Sequence, residues 1–251
     1  MARLADVLLP SELMPPGPMR YRVAGTESLE WFHRSGKITC DIYEVALSSI
    51  GRSLGEFRNV LDFGCGVGRV LRWLQALVPD AHLAGSDSDN AAMAWIREHY
   101  PAVETATIAN DGLPPLHFDD GRFDLVLGYS VFTHLNVQYQ DAWLAELQRL
   151  VCPGGILLLS ISGPRMLDKT LTTSDHFNLA DLRQHVGEFT SDGILHWLND
   201  GWEQHFPPYY HTTFHSHPYV RDRWARWFDV LGIDADTPPA LKQDIVILRR
   251  E

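Results

Sequence analysis

Three cysteines in 251 residues, Cys40, Cys65 and Cys152, are too few and too widely spaced for a disulfide framework or a zinc cluster. Positive charge is also short: 21 Lys and Arg against 32 Asp and Glu leave a formal net charge of -11. That balance opposes a nucleic-acid partner, whose phosphates require clustered Lys and Arg. Long apolar runs are missing, and none approaches the roughly 20 residues of a bilayer span. Met1 to Pro10 hold one Arg and one Asp, without the apolar core of a signal peptide. Gly-Lys-Ser/Thr, the end of a Walker A loop, does not occur. Internal repeats and low-complexity tracts are absent as well. The expectation is a cytoplasmic protein with no membrane or nucleic-acid partner, monomeric or homodimeric.

What is present is a core-forming chain, 45% hydrophobic. Residues 56–162 alternate between short apolar runs and amphipathic stretches. Strands are predicted at 59–64, 82–87, 104–109, 123–130 and 156–162, and helices at 69–78, 89–99 and 136–151. This alternation implies a parallel sheet with helices on both faces. Residues 1–55 have no strand signal; Pro15-Pro16-Gly17-Pro18 is expected to break any early helix, and 27–34 and 38–50 look helical. Residues 163–216 lose the rhythm and are rich in His and aromatics, and a long insertion after a central strand is usually a functional lid or substrate cover. A helix at 218–227 and strands at 228–233 and 244–249, joined by a turn, close the chain. The predicted fold is α/β: a three-layer sandwich around a mostly parallel seven-stranded sheet with the last strand antiparallel. It forms a single domain, with an N-terminal cap (1–55), a ligand-binding core (56–162), a lid (163–216) and a C-terminal helix and strand pair (217–251).

Asn59-Val60-Leu61-Asp62-Phe63-Gly64-Cys65-Gly66-Val67-Gly68-Arg69 is the most informative stretch. A strand ends at an acid, and three alternate glycines then lead into a helix. Glycine allows turn geometry and close backbone approach, while a helix start offers free N–H groups. A dinucleotide fingerprint spaces its glycines G-x-G-x-x-G, and here the third comes one residue early. Asp87, ending the second strand, suits a ribose diol in either class of site.

The stretch 60–68 strongly resembles the glycine loop of class I S-adenosylmethionine-dependent methyltransferases. Gly85-Ser86-Asp87, Asn110-Asp111-Gly112-Leu113, Gly121-Arg122-Phe123-Asp124-Leu125-Val126, Ser130-Val131-Phe132-Thr133-His134-Leu135 and Leu150-Val151-Cys152-Pro153-Gly154-Gly155 resemble later motifs of that family, in its order. The resemblance implies S-adenosylmethionine as cofactor and S-adenosylhomocysteine as product. It places Asp62 and the backbone of Gly64, Cys65, Gly66 and Gly68, with Arg69, around the methionine part. Asp87 would take the ribose, with Ser88 beside it. Asn110 or Asp111, with Gly112, would meet the adenine, and Tyr129 and Ser130 would line the methionine end. Read from the residues alone, Asp62 or Asp87 could instead cap a helix, and Cys65 is a small buried residue rather than a nucleophile.

Methyl transfer needs alignment, exclusion of water and, for some nucleophiles, a base. His134, His211 and His215 are the candidate bases; His134 could equally be structural. The lid also offers Asp175, His176, His196, Trp197, Trp202, His205, Tyr209, Tyr210 and His217. His211, His215 and His217 share a face in an extended chain, but no firm carboxylate or Cys accompanies them, and no metal site is assigned. Phe206-Pro207-Pro208-Tyr209 resembles the Asn/Asp-Pro-Pro-Tyr motif of base amino-methyltransferases, but it lies in the wrong place and begins with Phe; it reads as a lid turn. Glu30 to Lys37 could close over the cofactor, or Trp31 and Phe32 could pin the cap to the core. The leading expectation is methyl transfer to O or N of a small molecule. The alternatives are a methyltransferase-like binding module without turnover and, against the glycine spacing, an NAD(P)-dependent oxidoreductase.

Overall fold

A computed structural model describes residues 14–173, 178–201, 207–235 and 242–251. Strand β1 (Asn59–Phe63) sets the architecture. Val60 packs into the core on one face of the sheet and Leu61 and Phe63 into the core on the other. A strand buried on both faces belongs inside a parallel sheet. It pairs in parallel with β2 (His82–Asp87) and with β4 (Phe123–Gly128). Strand β3 (Glu104–Thr107) adds to β2, and β5 (Val151–Ile161) to β4. Strand β9 (Asp244–Arg249) runs antiparallel to β5, and β8 (Asp229–Asp234) antiparallel to β9. The order β3-β2-β1-β4-β5-β9-β8 is the expected seven-stranded, mostly parallel sheet. It reverses direction between β1 and β4, where open α/β sheets form a crevice at their strand ends.

Helices α2 (Leu29–Ser49), α3 (Leu71–Leu77) and α4 (Asn90–His99) cover one face. Helices α5 (Val137–Leu150) and α8 (His217–Arg223), with Trp224, cover the other. Where two helical stretches, 27–34 and 38–50, were expected, α2 is one helix that continues through Gly36, which lies against the Arg69 carbonyl. Pro15-Pro16-Gly17-Pro18 does not prevent an early helix either. It starts α1 (Gly17–Ala24), because the first turn of a helix does not use the N–H that proline lacks. Helix α3 begins at Leu71 rather than Arg69, after a turn that carries the glycine loop.

The stretch from Gly163 to Ser216 holds α6 (Pro164–Thr173), α7 (Leu179–Asp192) and an antiparallel hairpin of β6 (Ile194–Trp197) and β7 (Thr212–His215). It has its own small core of Leu167, Leu182, Leu195, Trp197 and Phe214. It is fastened to the core by bonds that include His215 N–H to the Ser162 carbonyl (2.8 Å) and Thr213 Oγ1 to that of Leu135 (3.1 Å). No helix among the described residues is long and apolar enough to cross a membrane.

Candidate functional site

At the sheet's reversal point a cavity of about 720 Å³ opens between the ends of β1, β2 and β4. The glycine loop forms its floor. Gly64 and Cys65 N–H both donate to the Ser86 carbonyl, folding the loop back onto β2. Gly64 has φ +76° and Gly66 φ +52°, a region other residues rarely enter. A Cβ on Gly64 would lie 2.2 Å from Val131 Cγ2, and one on Gly66 2.6 Å from Val23 Cγ2. The loop is thus bare backbone squeezed between β4's exit and α1.

Two acids open onto this floor. Asp62 is 2% exposed, and its Oδ2 has no hydrogen-bond partner among the described residues. Burial pushes its carboxyl up to about 7; the Arg69 guanidinium opposes the shift and the Asp87 charge adds to it. A carboxylate in this state suits a cationic group. Asp87 accepts from Gly66 N–H through Oδ2 (2.8 Å) and from Asp89 N–H through Oδ1 (2.9 Å). A carboxylate has about four acceptor positions, so each oxygen keeps one for a hydroxyl donor. Burial raises this carboxyl as well, against those two amides. Arg69 is 7% exposed, bonds Thr39 Oγ1 (2.9 Å) and lies over the Tyr129 ring at 5.4 Å.

Of the residues singled out from sequence, Asp62, Gly64, Cys65, Gly66 and Arg69 line the cavity, as do Asp87, Ser88, Gly112, Tyr129, Ser130 and His134. Gly68 does not; it lets the chain pass under Ile96, whose Cδ1 a Cβ would meet at 2.8 Å. Asn110 and Asp111 are exposed outside the cavity, where Asp111 bonds Leu113 N–H and, through its carbonyl, the Tyr139 hydroxyl. Gly112 alone of that loop reaches the wall.

The histidines separate. His134 stays at the cavity, stacked on Tyr210 at 4.0 Å, with Nε2 3.5 Å from Ser130 Oγ. Burial, with His196 and His211 nearby, holds its imidazole down to about 3 and therefore neutral, although Asp200 pulls the other way. His211 is set behind it: its N–H donates to the His134 carbonyl and its Nδ1 is 3.2 Å from Asp200 Oδ1. His215 is fully buried away from the cavity, beside Tyr219 and Trp224, and its Nε2 meets Gln140 Nε2 at 2.8 Å. Its candidacy as a base ends there, for no substrate can reach it. His217 bonds Asp244 at 2.7 Å. The expectation that no carboxylate accompanies these histidines fails: Asp200 and Asp244 do, each to a different one. Sequence reasoning missed Asp200 because it lies eleven positions from His211 and meets it only when β6 and β7 pair. Asp175, His176, Trp202, His205 and Phe206 lie outside the described residues.

The cap contributes from an unexpected part. Tyr21, Arg22, Val23 and Gly25 of α1 and its end line the cavity, and Arg22 pairs with Asp89 at 2.9 Å. Phe32 is instead buried against Val67 and Ala92, pinning α2 to the core. No sequence signal marks Val23 as the neighbour of Gly66. Tyr209 and Tyr210 of the lid close the opposite side.

Residues 60–155 match the methyltransferase domain family. A Mycolicibacterium smegmatis protein named "Probable S-adenosylmethionine-dependent methyltransferase" is 31% identical over 62% of this chain and 54% of its own length. The ribosomal RNA large subunit methyltransferase G of Streptomyces coelicolor is 32% identical over 57% of this chain and 41% of its own. The chain thus spans about half the length of these curated relatives or less. Among solved structures, the Burkholderia thailandensis 1,6-didemethyltoxoflavin-N1-methyltransferase, with bound 1,6-didemethyltoxoflavin and S-adenosylhomocysteine, superposes with a TM-score of 0.54. It is 13% identical, and the match covers 94% of this chain and 91% of that one, a likeness of fold.

Proposed function

We propose that the protein, whose residues 60–155 match the methyltransferase domain family, is a class I S-adenosylmethionine-dependent methyltransferase that transfers the methyl group to O or N of a small-molecule acceptor. The observation that carries the reading is a pair of acids on one glycine floor. Asp62, with an unpartnered oxygen, faces the place for a cation, and Asp87, with spare acceptor positions, the place for a diol. The residues present fit the cofactor. Asp62 and the Gly64–Gly66 backbone would hold the amino-acid part, Asp87 the ribose hydroxyls, and the wall at Ile108 and Gly112 the adenine. When bound, the cofactor supplies an electrophilic methyl on a sulfonium.

The chain's own residues then align and shield. Ser130, His134 and Tyr210 border the cavity beyond the methionine end, and Tyr210 Oη donates to the Ser130 carbonyl (3.4 Å). Ser130 has φ +63°, held by its N–H on Ser160 Oγ (2.6 Å) and by Gln243 Nε2 donating to its own Oγ (2.9 Å). Strain held so firmly beside a cavity favours a positioning role. An imidazole as hard to protonate as His134's suits an acceptor that needs alignment more than deprotonation. Helix α1 and the lid wall the cavity on two sides, which would limit the water that reaches a bound ligand.

Charge supports a small acceptor. Asp62, Asp87 and Asp89 line the cavity, Arg22 is paired with Asp89, and the chain carries -11. Such a surface repels RNA phosphates, the ribosomal RNA enzyme among the relatives notwithstanding. The test is to offer the purified protein S-adenosylmethionine with a panel of phenols, hydroxy acids and heteroaromatic amines, and separately with ribosomal RNA. Mass spectrometry would follow the methylated product. Methylation of a panel compound is expected; turnover on RNA alone would overturn the small-molecule reading, and no product from any acceptor would overturn transfer itself.

A further inference from the structure

The lid reaches the donor half of the cavity as well as the acceptor half, through consecutive residues pointing to its two ends. Tyr210 goes to His134 and Ser130. Tyr209 goes to the opposite end. It stacks on Tyr139 at 5.0 Å and 15°, and its ring lies so close over Gly112 that a Cβ there would meet Cζ at 2.3 Å. It lines the cavity with Ile108, Gly112 and Ser88. Its hydroxyl is buried against the Ser88 side chain, which interacts with it weakly, and no hydrogen bond of regular geometry satisfies it among the described residues. A buried phenolic O–H without a partner is costly, and tyrosine hydroxyls that are buried usually find one.

We propose that Tyr209 is a nucleoside-binding residue whose hydroxyl bonds a polar atom of the adenosine part of the ligand, so that the lid is completed by the donor. This rests on the proposed use of S-adenosylmethionine and extends it to a residue outside the glycine-loop core. The wall explains the choice of residue. Gly112 has φ +73° and no side chain, which leaves the space the aromatic ring takes. Tyr139 holds that ring from behind, its own hydroxyl occupied on the Asp111 carbonyl (2.9 Å). Asp111 thus serves the adenine end indirectly, by anchoring the residue that supports Tyr209. The adjoining peptide carries Tyr210 to the acceptor end, so an occupied nucleoside site fixes the turn that borders the acceptor.

The test uses two probes on the full chain, S-adenosylhomocysteine and adenosine, titrated by calorimetry into the wild-type protein and Tyr209→Phe. Loss of one neutral hydrogen bond is expected to weaken both probes by about three- to tenfold and by the same factor. The unliganded melting temperature should not fall, and should rise if anything, since Tyr209→Phe removes a buried hydroxyl that lacks a regular hydrogen bond. Equal affinities for wild type and Tyr209→Phe would overturn the proposal. So would a loss for S-adenosylhomocysteine without one for adenosine, which would place the contact off the nucleoside. Tyr209→Ala should weaken adenosine further by removing the ring, which separates packing from the hydrogen bond. If the wild-type protein bound neither probe, the underlying cofactor reading would fall instead.

Discussion

A carboxylate with 2% exposure and an unpartnered oxygen, as at Asp62, is expensive to hold without a ligand. The folded protein resolves this by holding the proton, with the carboxyl raised to about 7 chiefly by burial. A ligand that brings an ammonium group to Asp62 requires the ionised form. Below about pH 7 the proton must first leave, so binding is weaker there and strengthens as pH rises through 7. S-adenosylhomocysteine is therefore expected to bind several-fold more tightly at pH 8 than at pH 6, with at most about tenfold per unit below the transition. Calorimetry at the two pH values checks this. Asp62→Asn should weaken binding at pH 8 and flatten the profile. A wild-type profile already flat across 6 to 8 would show that Asp62 does not meet a cation.

Among elements, the contact of α2 with the glycine loop is the tightest test of packing. Gly36 is in the interior of a helix, where alanine is ordinarily better by about 1 kcal/mol. Here a Cβ would lie 2.1 Å from the Arg69 carbonyl oxygen and 2.9 Å from Trp73 Cδ1, whose ring is fixed by Nε1 on the His33 carbonyl. Backbone cannot yield as a flexible side chain would, so overpacking of about 1–3 kcal/mol or more is the larger effect. Gly36→Ala is expected to lower the melting temperature by several degrees, at roughly 2–4 °C per kcal/mol for a chain of this size. An unchanged or raised value would mean that α2 does not approach the loop. The same glycine shows what the sequence could and could not convey. Strands such as Asp244–Arg249 were legible because a short continuous apolar run, here Ile245 to Leu248, is what burial on both faces demands. The gap between the predicted stretches 27–34 and 38–50 holds Gly36, whose place inside one continuous helix rests on a neighbour 33 positions away. The proline-rich start of α1 was misread because proline is tolerated only in a first turn, a position fixed by tertiary structure.

For the whole molecule, the seven-stranded order, the reversal between β1 and β4 and the acids at the ends of β1 and β2 follow from one strand–loop–helix grammar. That is why the floor of the cavity was legible residue by residue, from Asp62 to Gly66 and at Asp87. The rest of its wall was not, because it is assembled from distant pieces. Ser130 is set by Gln243, His134 by a lid hairpin, and the near wall by α1. Of the histidines at 211, 215 and 217, which an extended chain would put on one face, folding pairs His211 with Asp200, buries His215 against Gln140 and pairs His217, at the start of α8, with Asp244. The central claim is the identity of the donor. Titration of the wild-type protein and Gly66→Val with S-adenosylhomocysteine and with NAD⁺ tests it most directly. The expected result is a Kd on the order of micromolar for S-adenosylhomocysteine, no binding of NAD⁺, and loss of binding in Gly66→Val with the fold retained. NAD⁺ binding in place of S-adenosylhomocysteine, or undiminished affinity in Gly66→Val, would contradict it.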